Sequence, residues 1–285
     1  MLKTALIVIL YNPDIQEVSE NISSYIDSVD LLITVDNSET SNHQLETSDK
    51  IIHIRNNENL GIAKALNQGI IKAKELNFQY AILMDQDSQF FDATKAINAL
   101  HIAIQDKESN FISSSIVVNA NIAPKENQKE LKYIDNCITS GSMLRLSMTD
   151  DIGLHDEKLF IDYVDFEYCL RARNMGYTIV ETKLSTLKHL IGDSKKVSMK
   201  FFPWYKTYAT NHSPLRRYYR WRNSVYVWRK YYKTNPKWVK KNIRHTFNDL
   251  KKILLFEDQR FLKFRAIFLG IKDAYQERYG IRKNL

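Results

Sequence analysis

The stretch YAILMDQDSQF, residues 80–90, decides how the rest of the chain is interpreted. Its apolar run from Ala81 to Met84 predicts a buried strand, which stops abruptly at Asp85 and Asp87. Because alternate residues of a strand share a face, we expect both carboxylates to face one point just past the strand end. Two close carboxylates repel unless a cation lies between them, so the pattern is typical of a divalent metal that also binds a diphosphate. A strand end capped by polar turn residues explains the spacing equally well.

Strands and helices alternate along the first 107 residues of the chain. The periodicity predicts strands over 4–12, 30–38, 50–56 and 80–85, and helices over 14–28, 61–76 and 92–107. This order predicts an α/β domain with a mostly parallel sheet flanked by helices. No G-x-G-x-x-G follows the first strand, which disfavours a dinucleotide-binding domain.

Polar clusters follow three of these strands, at the edge where open parallel sheets bind ligands. They are Tyr11-Asn12, Asp36-Asn37 and Asp85-Gln86-Asp87. A second polar group lies around the start of the helix that follows the third strand, and it consists of Asn59, Gly61, Lys64 and Asn67. Helix N-termini attract anions and Lys64 adds positive charge, so this group could bind a phosphate. A capped surface helix is the alternative.

Charge divides the chain into two parts. Residues 200–285 hold 22 Lys and Arg against 5 Asp and Glu, a net charge of +17, while the rest of the chain has −9. The same segment contains 20 of the 33 aromatic residues. This division predicts a domain over residues 1–200 and a basic, aromatic, helical segment over 201–285.

Cysteine content and hydropathy limit the compartment. Cys137 and Cys169 form neither a disulfide framework nor a zinc-binding spacing, which favours a reducing cytosol. The apolar N-terminus lacks a cleavage site and is interpreted as the first strand. No run of about 18 uncharged apolar residues is present, so no membrane span is predicted.

Seven motifs resemble one known family. They occur in the order LYNPD (10–14), VDNS (35–38), NLGIAKALNQG (59–69), MDQDS (84–88), TSGSMLRL (139–146), FIDYVDFEYCLRA (160–172) and KHLIGD (188–193). Together they are similar to the family 2 glycosyltransferases of the GT-A fold, and within them to the bacterial rhamnosyltransferase branch. The resemblance covers roughly residues 3–230. It implies a nucleotide-sugar half over about 1–107 and an acceptor half over about 108–200.

The resemblance implies a donor site with Mg²⁺ or Mn²⁺. Tyr11, Asn12 and Asp36 would contact the base and ribose, and Asn59, Gly61, Lys64 and Asn67 would line the nucleotide side together with Gln86. Asp85 would reach the ribose or a metal-bound water, and Asp87 would bind the metal. His189 would be a third metal or diphosphate contact, although a lone histidine is as often structural. Arg222 would bind the diphosphate, with a salt bridge to a carboxylate of the domain as the alternative.

The same resemblance places the catalytic base in FIDYVDFEY. Inverting members often carry a Glu-Asp pair before a helix, and here the aligned pair is Val164-Asp165. We therefore expect Asp165 to take the proton from the acceptor hydroxyl, with Asp162 and Glu167 as rivals. Glu167 should point away from Asp165 on a helix, so only one of them should face the acceptor.

The resemblance implies transfer of L-rhamnose from dTDP-rhamnose to a surface polysaccharide, such as a capsule, or to its polyprenyl-diphosphate-linked precursor. A UDP-sugar donor carrying galactofuranose, galactose or glucose is the alternative. Residues 240–275 are expected to form an amphipathic helix on the inner face of the plasma membrane. Packing on the domain or a homo-oligomer contact are alternatives. A sugar-nucleotide pyrophosphorylase lacks support because no phosphate loop follows the first strand. A nucleic-acid-binding protein would leave the paired acids unexplained.

Overall fold

The protein folds into two compact units. The computed structural model describes residues 3–40, 48–118, 131–188, 195–199, 202–209 and 211–282. The larger unit comprises Met1–Glu157 and Val164–Leu190, and the smaller comprises Lys158–Tyr163 and Ile191–Leu285. The loop at 158–163 therefore belongs with the C-terminal unit, which the sequence pattern did not indicate.

A mixed sheet forms the centre of the larger unit. Its strands are β1 (Thr4–Leu10), β2 (Leu31–Asp36), β3 (Ile51–Arg55), β4 (Tyr80–Asp85), β5 (Gln89–Phe90), β6 (Asn110–Val118), β7 (Leu131–Tyr133), β8 (Ser142–Arg145) and β9 (Thr178–Lys188). In the described residues their order is β3-β2-β1-β4-β8-β6-β9-β5, with β7 paired to β9. The first four strands are parallel, and β8 runs antiparallel to both of its neighbours. The α/β class predicted from the sequence is confirmed.

Helices cover both faces of this sheet. They are α1 (Ile15–Ser23), α2 (Ile62–Glu75), α3 (Ala93–Gln105), α4 (Thr149–Ile152) and α5 (Val164–Asn174). The helix expected over 14–28 ends at Ser23 and continues only as a 3₁₀ turn at Ile26–Ser28. The hydroxyls of Ser23 and Ser24 bond to the carbonyls of Ser19 and Asn21, and such local bonds compete with regular helix.

The core lies between the sheet and its helices. Leu6, Val8 and Leu10 of β1 are fully buried in a cluster that includes residues of α1 and α3. The neighbouring residue Ile7 meets α2 at Gly69, where a Cβ atom would lie 2.4 Å from Ile7 Cγ2. The middle of α2 is therefore packed closely against the middle of β1.

The described residues of the smaller unit form two antiparallel strands and three helices. These elements are β10 (Lys195–Met199), β11 (Phe202–Ala209), α6 (Pro214–Tyr231), α7 (Pro236–Phe256) and α8 (Arg260–Tyr275). The prediction of a single helix over 240–275 is wrong, because α7 ends at Phe256 and α8 begins at Arg260. Gln259 adopts a left-handed backbone with φ of 51°, and the buried Glu257 pairs with Arg217 and Lys263. None of the helices in the described segments is both long and apolar enough to cross a membrane.

Candidate active site

Two carboxylates flank the end of the central strand β1. Asp36 ends β2 and is in register with Leu10, and Asp85 ends β4 and is in register with Ile9. Two strand spacings separate them, which places their backbones roughly 10 Å apart along the carboxyl edge. Asp36 is buried and Asp85 is half-buried. This edge is the place where the sequence predicts a ligand.

The acids after β4 lie in a tight turn. The N–H of Ser88 donates to the carbonyl of Asp85 at 3.2 Å, so β4 ends at Asp85 and Asp87 is a turn residue. The expectation that Asp85 and Asp87 share one face of a strand therefore does not hold for Asp87. Ser140 stabilises the turn, since its Oγ accepts from the N–H of Asp85 at 3.2 Å and donates to Ser88 Oγ at 2.8 Å. Ser88 Oγ in turn lies 3.4 Å from Asp87 Oδ1.

Gln86 connects this turn to the loop after β1. Its side-chain Oε1 accepts from the N–H of Tyr11 at 2.8 Å, and its Nε2 donates to the carbonyl of Tyr11 at 3.3 Å. Asn21 of α1 donates to the Gln86 carbonyl at 2.9 Å. The side-chain amide of Gln86 thus bonds to both the N–H and the carbonyl of Tyr11, and Tyr11 is 47% exposed. Nothing in the sequence indicated this role of Asn21.

The loop after β2 is joined to the same region. Asp36 Oδ1 accepts from the N–H of Ser38 at 2.9 Å, and Ser38 Oγ accepts from the N–H of Asn12 at 2.8 Å. Asn12 has a φ of 44°, a left-handed conformation that asparagine tolerates. The structure therefore brings together four of the residues that the sequence singled out: Tyr11, Asn12, Asp36 and Gln86.

The start of α2 lies beside the β2 loop. Gly61, with φ of 86°, is the N-cap residue, and Asn59 Oδ1 accepts its N–H at 3.0 Å. Asn37 Nδ2 donates to the Gly61 carbonyl at 3.0 Å, which joins this helix start to the end of β2. Lys64, in the first turn of α2, is exposed. Asn59, Gly61 and Lys64 thus lie where a phosphate would meet a helix N-terminus.

Asn67 occupies a different environment. It is 2% exposed, and its Oδ1 accepts from the N–H of His155 at 2.8 Å. Its Nδ2 donates to the His155 carbonyl and to Glu157 Oε1, both at 3.0 Å. The side-chain amide holds the loop after α4 against α2, so we do not carry Asn67 into the proposed donor site.

Helix α5 places Asp165 and Glu167 in different environments. Asp165 is half-buried in the first turn, and its Oδ1 accepts from the N–H of Phe166 at 2.8 Å. Glu167 is fully buried and forms a two-point ion pair with Arg171, at 3.1 Å to Nε and 2.8 Å to Nη2. Arg171 also donates to the carbonyls of Ile152 and Leu154. Glu167 is therefore held inside the fold by Arg171, and Asp165 is the more exposed of these two acids.

Comparison with known proteins shows the family to which the chain belongs. A family model described as glycosyl transferase family 2 matches residues 5–154, just over half of the chain. The chain belongs to the family 2 glycosyltransferases. It is 31% identical over 242 residues to the dTDP-rhamnosyl transferase RfbF of Shigella flexneri, covering 79% of either chain. It is also 25% identical over 204 residues to the low-salt glycan biosynthesis hexosyltransferase Agl10 of Haloferax volcanii, covering 64% of this chain and 66% of that one.

A solved structure shares the fold. GalNAc-T7, solved with UDP, GalNAc and Mn²⁺, superposes with a TM-score of 0.63 at 13% identity over 97% of this chain. This chain spans 56% of the solved GalNAc-T7 chain. At this identity the likeness shows the fold alone, and it confirms the GT-A architecture expected from the sequence.

The carboxylates of this family 2 glycosyltransferase suit a hard divalent ion. The described residues contain no group of three or more His, Cys, Asp or Glu that could hold a metal by themselves. His189 lies outside the described residues. Mg²⁺ is commonly bound by one or two carboxylates and takes its other ligands from water and substrate phosphates. Half-buried Asp85 and Asp87 supply oxygen ligands of this kind, so the donor set fits the metal.

Arg222 lies in the smaller unit and is 1% exposed. Its guanidinium donates to the carbonyls of Gly280 at 2.6 Å and Lys158 at 3.2 Å, and it lies 4.9 Å from the ring centre of Tyr219. The next residue, Asn223, donates to the carbonyl of Ile161 at 2.7 Å. The Arg-Asn pair therefore fixes the loop at 158–163, and we do not place Arg222 at the diphosphate.

Proposed function

We propose that this protein is an inverting, metal-dependent rhamnosyltransferase. It transfers L-rhamnose from dTDP-β-L-rhamnose to a hydroxyl of a cell-surface polysaccharide or of its polyprenyl-diphosphate-linked precursor. The observation that carries the proposal is the 31% identity to a dTDP-rhamnosyl transferase over 79% of either chain. The carboxylates at the edge of β1, β2 and β4 support it, because they lie where such a sheet binds a nucleotide.

The nucleoside lies beside Tyr11, Asn12 and Asp36 in this proposal. The exposed ring of Tyr11 offers an aromatic face to the thymine base. Asp36 is held in place by Ser38 and accepts hydrogen bonds from the base or the sugar. Gln86 acts on the donor through Tyr11, since its amide fixes the backbone of that residue.

The diphosphate lies between the turn after β4 and the start of α2. Asp85 and Asp87 would hold Mg²⁺ or Mn²⁺, and such an ion would supply positive charge beside the diphosphate leaving group. Lys64 and the N–H groups at the start of α2 attract the same anion. Asn59 keeps Gly61 in the backbone conformation that begins the helix.

Asp165 is the proposed catalytic base. Its carboxylate takes the proton of the acceptor hydroxyl as the hydroxyl oxygen attacks the anomeric carbon of rhamnose. The new carbon–oxygen bond forms on the face opposite the departing dTDP, and the bond to the diphosphate oxygen breaks with its electron pair. The configuration at the anomeric carbon is therefore inverted, and a β-linked donor gives an α-linked product.

The acceptor half of the larger unit, over about 108–200, would bind the growing glycan. An acceptor on a polyprenyl diphosphate would bring the enzyme to the inner face of the plasma membrane as a peripheral protein. The basic segment over 201–285 is the part of the chain whose composition suits that location. A homo-oligomer at the membrane is compatible with the same chemistry.

Product analysis tests the proposal. The purified protein is incubated with Mg²⁺ or Mn²⁺, an acceptor glycan and either dTDP-β-L-rhamnose or UDP-galactose, and the products are examined by mass spectrometry and NMR. We expect an α-linked rhamnose product from the dTDP donor and its loss in Asp165→Asn. Transfer from the UDP donor alone would reassign the donor, and a β-linked rhamnose product would refute inversion.

A further inference from the structure

Helix α8 carries an exposed stripe of aromatic and basic side chains. Phe261, Arg265, Phe268, Lys272 and Tyr275 follow one another at intervals of three or four residues, so they share one face of the helix. Phe261 is 80% exposed, Phe268 67% and Tyr275 66%. We call these five residues the α8 stripe. Large aromatic side chains in this number are unusual on a solvated surface and indicate an interaction site.

The opposite face of α8 is fixed against the rest of the smaller unit. Ala266, Ile267 and Gly270 are buried, and a Cβ atom at Gly270 would lie 2.5 Å from the carbonyl oxygen of Tyr218 in α6. This close approach holds α8 in one orientation. The outward direction of the α8 stripe is therefore determined by packing.

The turn between α7 and α8 extends the apolar surface. Leu254 is 56% exposed, Leu255 44% and Leu262 46%, and all three lie within seven residues of Phe261 in the chain. Leucine and phenylalanine at such a corner can enter an apolar layer without any change of fold.

The charge around the α8 stripe is positive. The acids of these helices are mostly bound within the unit: Asp249 pairs with Arg220, Glu257 with Arg217 and Lys263, and Asp273 with Arg282. The exposed charged residues of the α7 end and α8 are Lys251, Asp258, Arg260, Arg265 and Lys272. Four of these five are basic, so the surface complements an anionic partner.

We propose that the α8 stripe is the surface by which this enzyme binds the anionic face of a lipid bilayer. The aromatic rings and the leucines of the α7–α8 turn enter the interface between headgroups and acyl chains, and the basic residues contact lipid phosphates. The proposal rests on the proposed function only in that a lipid-linked acceptor gives the binding a purpose. A membrane is the anionic partner that the surface favours, because exposed aromatic and leucine side chains accompany the positive charge.

Vesicle sedimentation tests this proposal with the full chain. Vesicles of phosphatidylcholine alone are compared with vesicles that also contain phosphatidylglycerol, at low and high salt. We expect the protein to sediment with the anionic vesicles and less so at high salt. The Phe261→Ser/Phe268→Ser variant should bind roughly tenfold more weakly because it loses two of the inserted aromatic rings. Arg265→Gln/Lys272→Gln should bind more weakly and lose part of the salt dependence.

Ile102→Ser is the matched control, because Ile102 on α3 is 67% exposed, as is Phe268, and lies in the other unit. It should bind vesicles as the unchanged protein does. Rhamnose transfer to a water-soluble acceptor should be the same in every variant, which separates this test from that of the proposed function. A wild-type protein that stays in the supernatant, or a Phe261→Ser/Phe268→Ser variant that binds vesicles normally, would overturn the proposal. If that variant instead becomes a smaller species in size-exclusion chromatography while its vesicle binding is unchanged, the stripe is a contact between copies.

Discussion

Replacing Glu167 by glutamine distinguishes the buried acid of helix α5 from the proposed catalytic base, Asp165. Glu167 is fully buried, and Arg171, whose side chain is 20% exposed, approaches it with two hydrogen bonds. Removing one partner of a buried ion pair costs about 3–5 kcal/mol because it leaves a buried charge uncompensated. Glutamine keeps one acceptor oxygen, and Arg171 keeps its bonds to the carbonyls of Ile152 and Leu154, so we take the lower value, about 3 kcal/mol.

The matched variant is Asp165→Asn. Asp165 is half-buried and uses Oδ1 to accept the N–H of Phe166, an interaction that asparagine retains. Its effect on folding should stay within about 0.5 kcal/mol, as for most substitutions away from the core. Transfer activity should nevertheless fall by about 10²-fold or more, because asparagine cannot take the acceptor proton.

Thermal and urea unfolding together with donor binding and transfer rates provide the assay. A loss of 3 kcal/mol lowers the midpoint of unfolding by roughly 6–12 °C for a unit of this size. We expect this shift in Glu167→Gln, with near-normal activity of the protein that remains folded. If Glu167→Gln is as stable as the unchanged protein but inactive, while Asp165→Asn is active, Glu167 is the base and our assignment is wrong.

Three further variants test other parts of the structure. Gln86→Leu removes both bonds to the Tyr11 backbone and should raise KM for the donor about tenfold with little change in kcat; an unchanged KM would refute the role of Gln86. Gly69→Ala places a methyl group 2.4 Å from Ile7 Cγ2 and should cost about 1–3 kcal/mol in urea unfolding, whereas a gain in stability would mean that α2 moves freely. Burial lowers the pKa of His155 to about 3; since the unfolded chain binds its proton at about pH 6.5, stability should fall as pH decreases from about 7 to about 4. This loss should be smaller in His155→Gln, and equal pH dependence in the two proteins would contradict it.

The order of strands and helices in the larger unit was predictable because the sequence signals for them are local. Asp14 caps α1 by accepting the N–H groups of Gln16 and Glu17, and aspartate is among the residues preferred at that position. Gly176, with φ of 89°, follows α5, and glycine in this conformation commonly ends helices. The polar ends of β1, β2 and β4 meet at one edge because parallel strands align their carboxyl ends.

Other features depend on contacts between residues far apart in the sequence. The bonds from Asn67 to His155 span 88 residues, so the motif alone could not show that this amide is structural. Arg222 interrupts an apolar stripe and was expected to pair with an anion, but backbone carbonyls and aromatic rings surround it instead. The sequence did not predict the break between α7 and α8. In the sequence Glu257 is indistinguishable from a solvent-exposed glutamate, and only the structure shows its buried partners, Arg217 and Lys263.

The measurement that tests the central claim most directly is calorimetric titration of dTDP into the purified protein, with and without Mg²⁺ or Mn²⁺. UDP and GDP serve as competing nucleotides, and Asp87→Ala is titrated in parallel. The account predicts binding of dTDP that requires the metal, exceeds that of UDP and GDP, and is lost in Asp87→Ala. Binding of dTDP that needs no metal, or that Asp87→Ala retains in full, would contradict it.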